Sequence, residues 1–136
     1  MLSFAGKECV MLRKLAVLFG IVFVAVGVLG FVPGVTTNEH LLGIFHVNAA
    51  HNLVHIVSGV IAIMAGLATE HASRLYFRWF GLVYAIVAIL GLVQPNREIL
   101  GVISNNYADV ILHFSIAIMA LVIGFAVRER TAVLDH

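Results

Sequence analysis

The chain of 136 residues is 62% hydrophobic and 11% charged, with a mean hydropathy of +1.07. A soluble domain carries about a quarter charged residues, so this composition belongs to an integral membrane protein with no room for a separate soluble catalytic domain. The net charge of +1 comes without a basic cluster, which points away from nucleic acid, and a single cysteine, Cys9, excludes an internal disulfide or a CxxC site.

A bilayer-spanning helix needs roughly 20 mostly apolar residues. Four runs of that kind are expected at about 15–32, 47–68, 75–93 and 107–127, forming one membrane domain over 1–136. The first follows Met11-Leu-Arg-Lys14, which has the character of a signal-peptide n-region. The run is long, and the repeat described below needs it as a helix, so it is read as a retained span with Met11 as an alternative start. Lys7, Arg13 and Lys14 precede span 1, Arg74 and Arg78 lie between spans 2 and 3, and Arg128 and Arg130 follow span 4; Arg97 alone falls on the other side. The positive-inside rule then places both termini in the cytoplasm. Tyr76, Phe77, Trp79 and Phe80 read as an aromatic belt at the cytoplasmic interface, and His71 as one of the loop charges there.

The chain repeats itself. His40-Leu-Leu-Gly-Ile-Phe-His-Val-Asn-Ala-Ala-His-Asn-Leu-Val-His55 aligns with Glu98-Ile-Leu-Gly-Val-Ile-Ser-Asn-Asn-Tyr-Ala-Asp-Val-Ile-Leu-His113. Leu42, Gly43, Asn48, Ala50 and His55 fall on Leu100, Gly101, Asn106, Ala108 and His113, and spans 1 and 3 align through Phe19-Gly20 with Phe80-Gly81. The expected fold is an all-α membrane protein of four transmembrane helices, built as two tandem hairpins. They form a parallel internal repeat about a pseudo-two-fold axis along the membrane normal.

At helical spacing span 2 presents Asn48, His51, His55, Gly59, Ala62 and Gly66, and span 4 presents Asn106, Asp109, His113, Ala117, Ala120 and Gly124. Small residues let transmembrane backbones approach, and polar ones bond across an interface. Spans 2 and 4 are therefore expected to pack on each other. Gly20, Gly27 and Gly30, recurring as Gly81, Ala88 and Gly91, would seat the outer pair, and these glycine stripes also permit a homo-oligomer. At about 1.5 Å per residue His51 and Asp109 lie roughly 5 Å inside the outer surface, with His55 and His113 one turn deeper.

His51, His55, Asp109 and His113 are the candidate metal ligands, since three imidazoles and a carboxylate suit zinc or another first-row transition metal. His55 and His113 paired would alternatively ligate one haem b axially. The preferred reading is an interhelical polar network without a cofactor, joined by Asn48, Asn52 and Asn106, in a protein with a structural or interaction role and a membrane-protein partner or second copy. Asn48 and Asn106 stand where helix N-caps would, and a carboxylate in a membrane, costing about 2–3 kcal/mol, calls for a partner, here His51 or His113. His40 and His46 belong to the first outer loop, with interfacial roles or as added ligands, and His136 ends the chain. The stretches 41–45 and 99–103 are too apolar for ordinary loops and are expected to lie along the interface or dip in as lids. No hydrolase, metalloprotease or nucleotide-binding motif occurs, so no catalytic residue is named.

The segments Asn48-Ala-Ala-His-Asn-Leu-Val-His-Ile-Val-Ser-Gly59 and Ala108-Asp-Val-Ile-Leu-His113 resemble those of the family catalogued as domain of unknown function 4383, over about Leu12 to Val127. The resemblance implies a multi-pass protein of a bacterial cytoplasmic membrane with four spans, and brings no established activity.

Overall fold

The computed structural model describes residues 4–126. Arg128, Arg130 and His136 lie outside the described residues, as do the side chains of Lys7 and Cys9. Four helices, α1 (Phe4–Leu29), α2 (Ala49–Ala68), α3 (Glu70–Val93) and α4 (Tyr107–Ala126), carry the fold. Each contains a stretch long and apolar enough to cross a membrane. Their outward faces expose leucine, isoleucine and valine, while glycine, alanine and the histidines face inward. That reverses the pattern of a soluble bundle and makes this an all-α membrane protein.

The third helix begins at Glu70, earlier than its apolar run. Thr69 alone joins α2 to α3, in extended backbone (φ −144°), and its hydroxyl accepts the N–H of Ala72 at 3.0 Å as an N-cap. Ser73 Oγ fastens the corner by donating to the carbonyls of Thr69 and Ala65. His71, Arg74 and Arg78 are therefore helical residues and not loop charges. Arg74, 1% exposed, pairs with Glu70 at 2.6 Å across one turn.

The close helix pairs are α1 with α2 and α3 with α4, which corrects the expected packing of spans 2 and 4 on each other. The small residues do bring backbones together, but within each hairpin. A Cβ on Gly59 would stand 2.6 Å from the carbonyl oxygen of Gly20 and 2.8 Å from the amide of Val24. A Cβ on Gly81 would meet Leu121 at 2.7 Å. Glycine on glycine allows the closest approach, and Gly20 faces Gly59 whereas Ala117 and Ala120 of α4 carry methyl groups. Gly20 and Gly27 of α1 and Gly30 just beyond it thus all face α2 inside the hairpin.

Each hairpin is also closed at the Thr69 end by an arginine. Arg13 Nε and Nη2 donate to the carbonyls of Gly66 and Leu67, both at 2.9 Å. Arg78 Nε donates to the carbonyl of Gly124 at 2.8 Å and its guanidinium lies 4.6 Å over Phe125. The last turn of a helix has carbonyls without intrahelical partners, and a cation there meets both the hydrogen-bonding need and the helix dipole.

Phe19, Phe23, Tyr76, Phe77, Phe80 and Tyr84 form the aromatic centre of the bundle, with Phe80 and Tyr84 stacked at 4.1 Å and Phe19 edge-on to Phe80 at 5.0 Å. This corrects the aromatic-belt reading. Starting α3 at Glu70 puts Tyr76, Phe77 and Phe80 on its buried face, and only Trp79, 64% exposed, points outward.

At the opposite end, between α1 and α2, three two-residue strands β1 (Thr36–Thr37), β2 (His40–Leu41) and β3 (Phe45–His46) form an antiparallel ribbon in the order β1-β2-β3. Its first turn places Asn38 and Glu39 at φ 50° and 61°, the paired positive values of a two-residue hairpin turn. The second turns at Leu42 and Gly43. The loop between α3 and α4 turns likewise at Leu100 and Gly101, between Ile99 and Ile103, which bridge antiparallel.

A candidate metal centre at the loop end

Helix α2 starts where Asn48 caps it. Asn48 Oδ1 accepts the N–H of His51 at 2.9 Å, and Nδ2 crosses to the other hairpin and donates to the carbonyl of Val102 at 2.8 Å. Asn106 does the same for α4, with Oδ1 accepting from Asp109 N at 3.0 Å and Nδ2 donating to the carbonyl of Ile44 at 2.8 Å. Donors and acceptors in the two bonds differ by 58 positions, the offset of the aligned segments. The N-cap role expected of both asparagines holds for side chains that reach across as well as down.

A second exchanged pair lies beneath. Asp109 Oδ2 accepts the N–H of Asn106 at 2.9 Å, closing a reciprocal capping box, and also the N–H of His46 at 3.1 Å. At the aligned position of α2, His51 Nδ1 lies 2.8 Å from the carbonyl oxygen of Ser104. A carboxylate can only accept from the opposite loop, so it meets an N–H; an imidazole can donate, so it meets a C=O. The partners expected for Asp109 were His51 or His113; backbone amides take that place. They satisfy the carboxylate at the positive end of a helix, where its burial is least costly.

The carbonyl of Ser104 accepts and cannot donate, so Nδ1 of His51 carries a proton, and in the neutral ring Nε2 keeps its lone pair. His51, His55 and His113 are all buried, and one ring nitrogen from each can be chosen so that all three lie within 4.8 Å of one another. Ring centroids are 4.8 Å apart for His51–His55, 5.6 Å for His51–His113 and 6.2 Å for His55–His113. Three imidazoles on one tetrahedral ion, with bonds of about 2.0–2.1 Å, have centroids about 5.2 Å apart and nitrogens about 3.4 Å apart. The ring centroids thus stand near ligating separation, while the nitrogens, within 4.8 Å of one another, would have to draw closer to bind one ion. His55 Nε2 and His113 Nδ1 are buried without a hydrogen-bond partner. The rings of Phe23, 5.2 Å from His55, and Tyr84, 5.5 Å from His113, flank the group.

Of the residues singled out in the sequence, His51, His55 and His113 come together. Asp109, Asn48 and Asn106 form the caps above them, and Asn52, buried, rests its carboxamide on Gly30, just past the end of α1. His40 and His46 stack at 5.1 Å on the ribbon, with His46 Nε2 at 3.5 Å from Glu39. Sequence reasoning missed Ser104 and His46 as backbone partners and Asn105, fully buried, whose Nδ2 donates to the carbonyl of Gly91 at 3.2 Å. It also counted Arg13 and Arg78 only as topological charges. The Asn106-x-x-Asp109 spacing was the one signal available for the capping box.

Comparison with curated proteins and with solved structures found no match. The model of the family described as Domain of unknown function (DUF4383) matches residues 13–126, nearly the whole described chain, and the protein belongs to that family.

Proposed function

We propose that this is a protein of a bacterial cytoplasmic membrane that holds one first-row transition-metal ion, zinc foremost, on His51, His55 and His113, at the extracytoplasmic end of the bundle. One observation carries the reading: two buried imidazole nitrogens without partners stand beside a third imidazole whose far nitrogen is held by a carbonyl. Metal-bound histidines nearly always donate their other N–H to such an acceptor, which fixes the ring and raises its basicity. Three neutral nitrogen ligands select zinc, copper, nickel or iron over calcium and magnesium, which need oxygen donors. Asp109 serves as a cap and not as a ligand. Haem b fits less well, because the ring of His51 stands within 4.8 Å and 5.6 Å of the two rings that would have to face one another across a macrocycle. The basic residues Arg13, Lys14, Arg74 and Arg78 support a cytoplasmic Thr69 end and hence an outward-facing site.

A second reading, a structural or interaction component held by a polar network alone, is favoured by the four exchanged bonds of the loops and caps. The two readings part at the metal. Protein purified without a histidine tag, offered zinc and passed over a desalting column, is expected to retain about one ion per chain, to lose it in His113→Ala or His55→Ala, and to show no Soret band. Retention of no zinc, copper, nickel, cobalt or iron would remove the metal and leave the network.

A further inference from the structure

The tips of the two loops expose apolar side chains in a costly way. Leu42 and Leu100 are 66% and 77% exposed and adopt φ 54° and 53°, the left-handed region that a leucine rarely enters. Ile44 and Val102 beside them are exposed as well. On a surface facing water this arrangement would be unfavourable twice, in backbone strain and in hydrated apolar area.

Three observations give the tips a different solvent. The first is depth. Ile44 and Val102 accept hydrogen bonds from Asn106 and Asn48, the residues immediately before α4 and α2, so the tips lie level with the helix starts. Those helices have 20 residues each, about 30 Å, the thickness of the hydrocarbon layer, which puts their starts at its edge. The second is the neighbourhood: Tyr107, exposed at the same end, is an amphipathic aromatic of the kind that favours the headgroup boundary, and the exposed ring of Phe31 adds apolar surface beside it. The third is the backbone. Leu42, Gly43, Ile44, Gly101 and Val102 each donate their N–H to a carbonyl of their own loop, from Leu42 N to Val35 O at 2.9 Å through Val102 N to Ile99 O at 3.1 Å. Tips that pair their amides internally can leave water at little cost.

We propose that the two tips, Leu42–Ile44 and Leu100–Val102, form a paired apolar foot seated in the headgroup boundary of the leaflet at the loop end. Lipid is the occupant, and the foot fixes the height of both hairpins against the same surface. In a Cys9→Ser background, Leu42→Cys, Leu100→Cys, Ile44→Cys and Val102→Cys are each labelled with an environment-sensitive fluorophore and reconstituted in phosphatidylethanolamine–phosphatidylglycerol vesicles. Ile111→Cys, on the exposed face of α4, and Thr37→Cys, on the ribbon, serve as references. The tip labels are expected to be quenched severalfold more by headgroup-proximal nitroxide lipid than the Thr37 label and severalfold less by aqueous iodide. Tip labels that follow Thr37 in both respects would overturn the proposal and give the apolar patch to a protein partner. Four independent label sites keep the result clear of any one variant that folds poorly.

Discussion

Replacing Asp109 by asparagine separates the two roles assigned to the loop end. The carboxylate is buried and holds two backbone amides on Oδ2, from Asn106 at 2.9 Å and His46 at 3.1 Å. Asparagine keeps the shape and one acceptor oxygen but gives up the charge. Hydrogen bonds to a charged group contribute about 1.5–3 kcal/mol and neutral ones about 0.5–1.5, so two conversions remove about 2 kcal/mol. The lost charge at a helix N-terminus removes about 0.3–1 kcal/mol more. Removing a buried charge also returns part of its desolvation cost, so the expected outcome is a net destabilisation of about 1 kcal/mol, read from SDS-titrated unfolding in mixed micelles by far-ultraviolet circular dichroism. Metal-free and zinc-loaded samples should fall by the same amount, and elemental analysis should show unchanged stoichiometry. A variant that loses its metal would make Asp109 a ligand, and one that unfolds like the parent would deny the cap its importance; either result refutes the division of labour argued above.

Gly59→Ala should destabilise by about 1–3 kcal/mol in the same unfolding assay although alanine is the better helix former by about 1 kcal/mol, because the new methyl meets backbone at 2.6 Å and the helices must part; a neutral result would contradict the close crossing. Asn48→Ala should cost more than Thr69→Ala, since both lose a cap worth about 1 kcal/mol but only Asn48 also bonds the opposite loop, contributing about another 1 kcal/mol. Arg13→Lys should recover less than half of the stability lost in Arg13→Met, as a single ammonium replaces a fork that donates from two nitrogens to two successive carbonyls. In His51→Ala the unfolding midpoint measured without metal should also drop, because the carbonyl of Ser104 loses its buried donor at a cost of about 1–3 kcal/mol; an unchanged midpoint would release that carbonyl from the latch.

The four spans were legible because apolar runs of that length admit few other structures, and His51, His55 and His113 stood out as polar groups on otherwise apolar faces. The start of α3 was not. Arg74 read as a charge between spans 2 and 3, whereas it lies in the first turns of α3 behind the Thr69 cap and pairs with Glu70 across one turn. The small residues announced close backbone approach without naming the partner, and Gly59 opposite Gly20 decided for the hairpin neighbour. The partners of Asp109 and His51 stayed invisible for a different reason: they are main-chain groups of loops from the other hairpin, which no side-chain pattern encodes.

The corner at Thr69 has a mechanical meaning. One extended residue joins the two hairpins at one end, while at the other they are held by side chains and loops that reach across. The molecule has the form of tweezers, with a stiff pivot, arms of about 30 Å and a clasp at the tips. Over arms of that length a rotation of about 10° at the pivot would displace the clasp by about 5 Å. Any such opening must also part the contacts of Phe19 and Phe23 with Phe80 and Tyr84 and the bond from the Tyr76 hydroxyl to the carbonyl of Ser58, so the clasp and the aromatic centre together hold the arms.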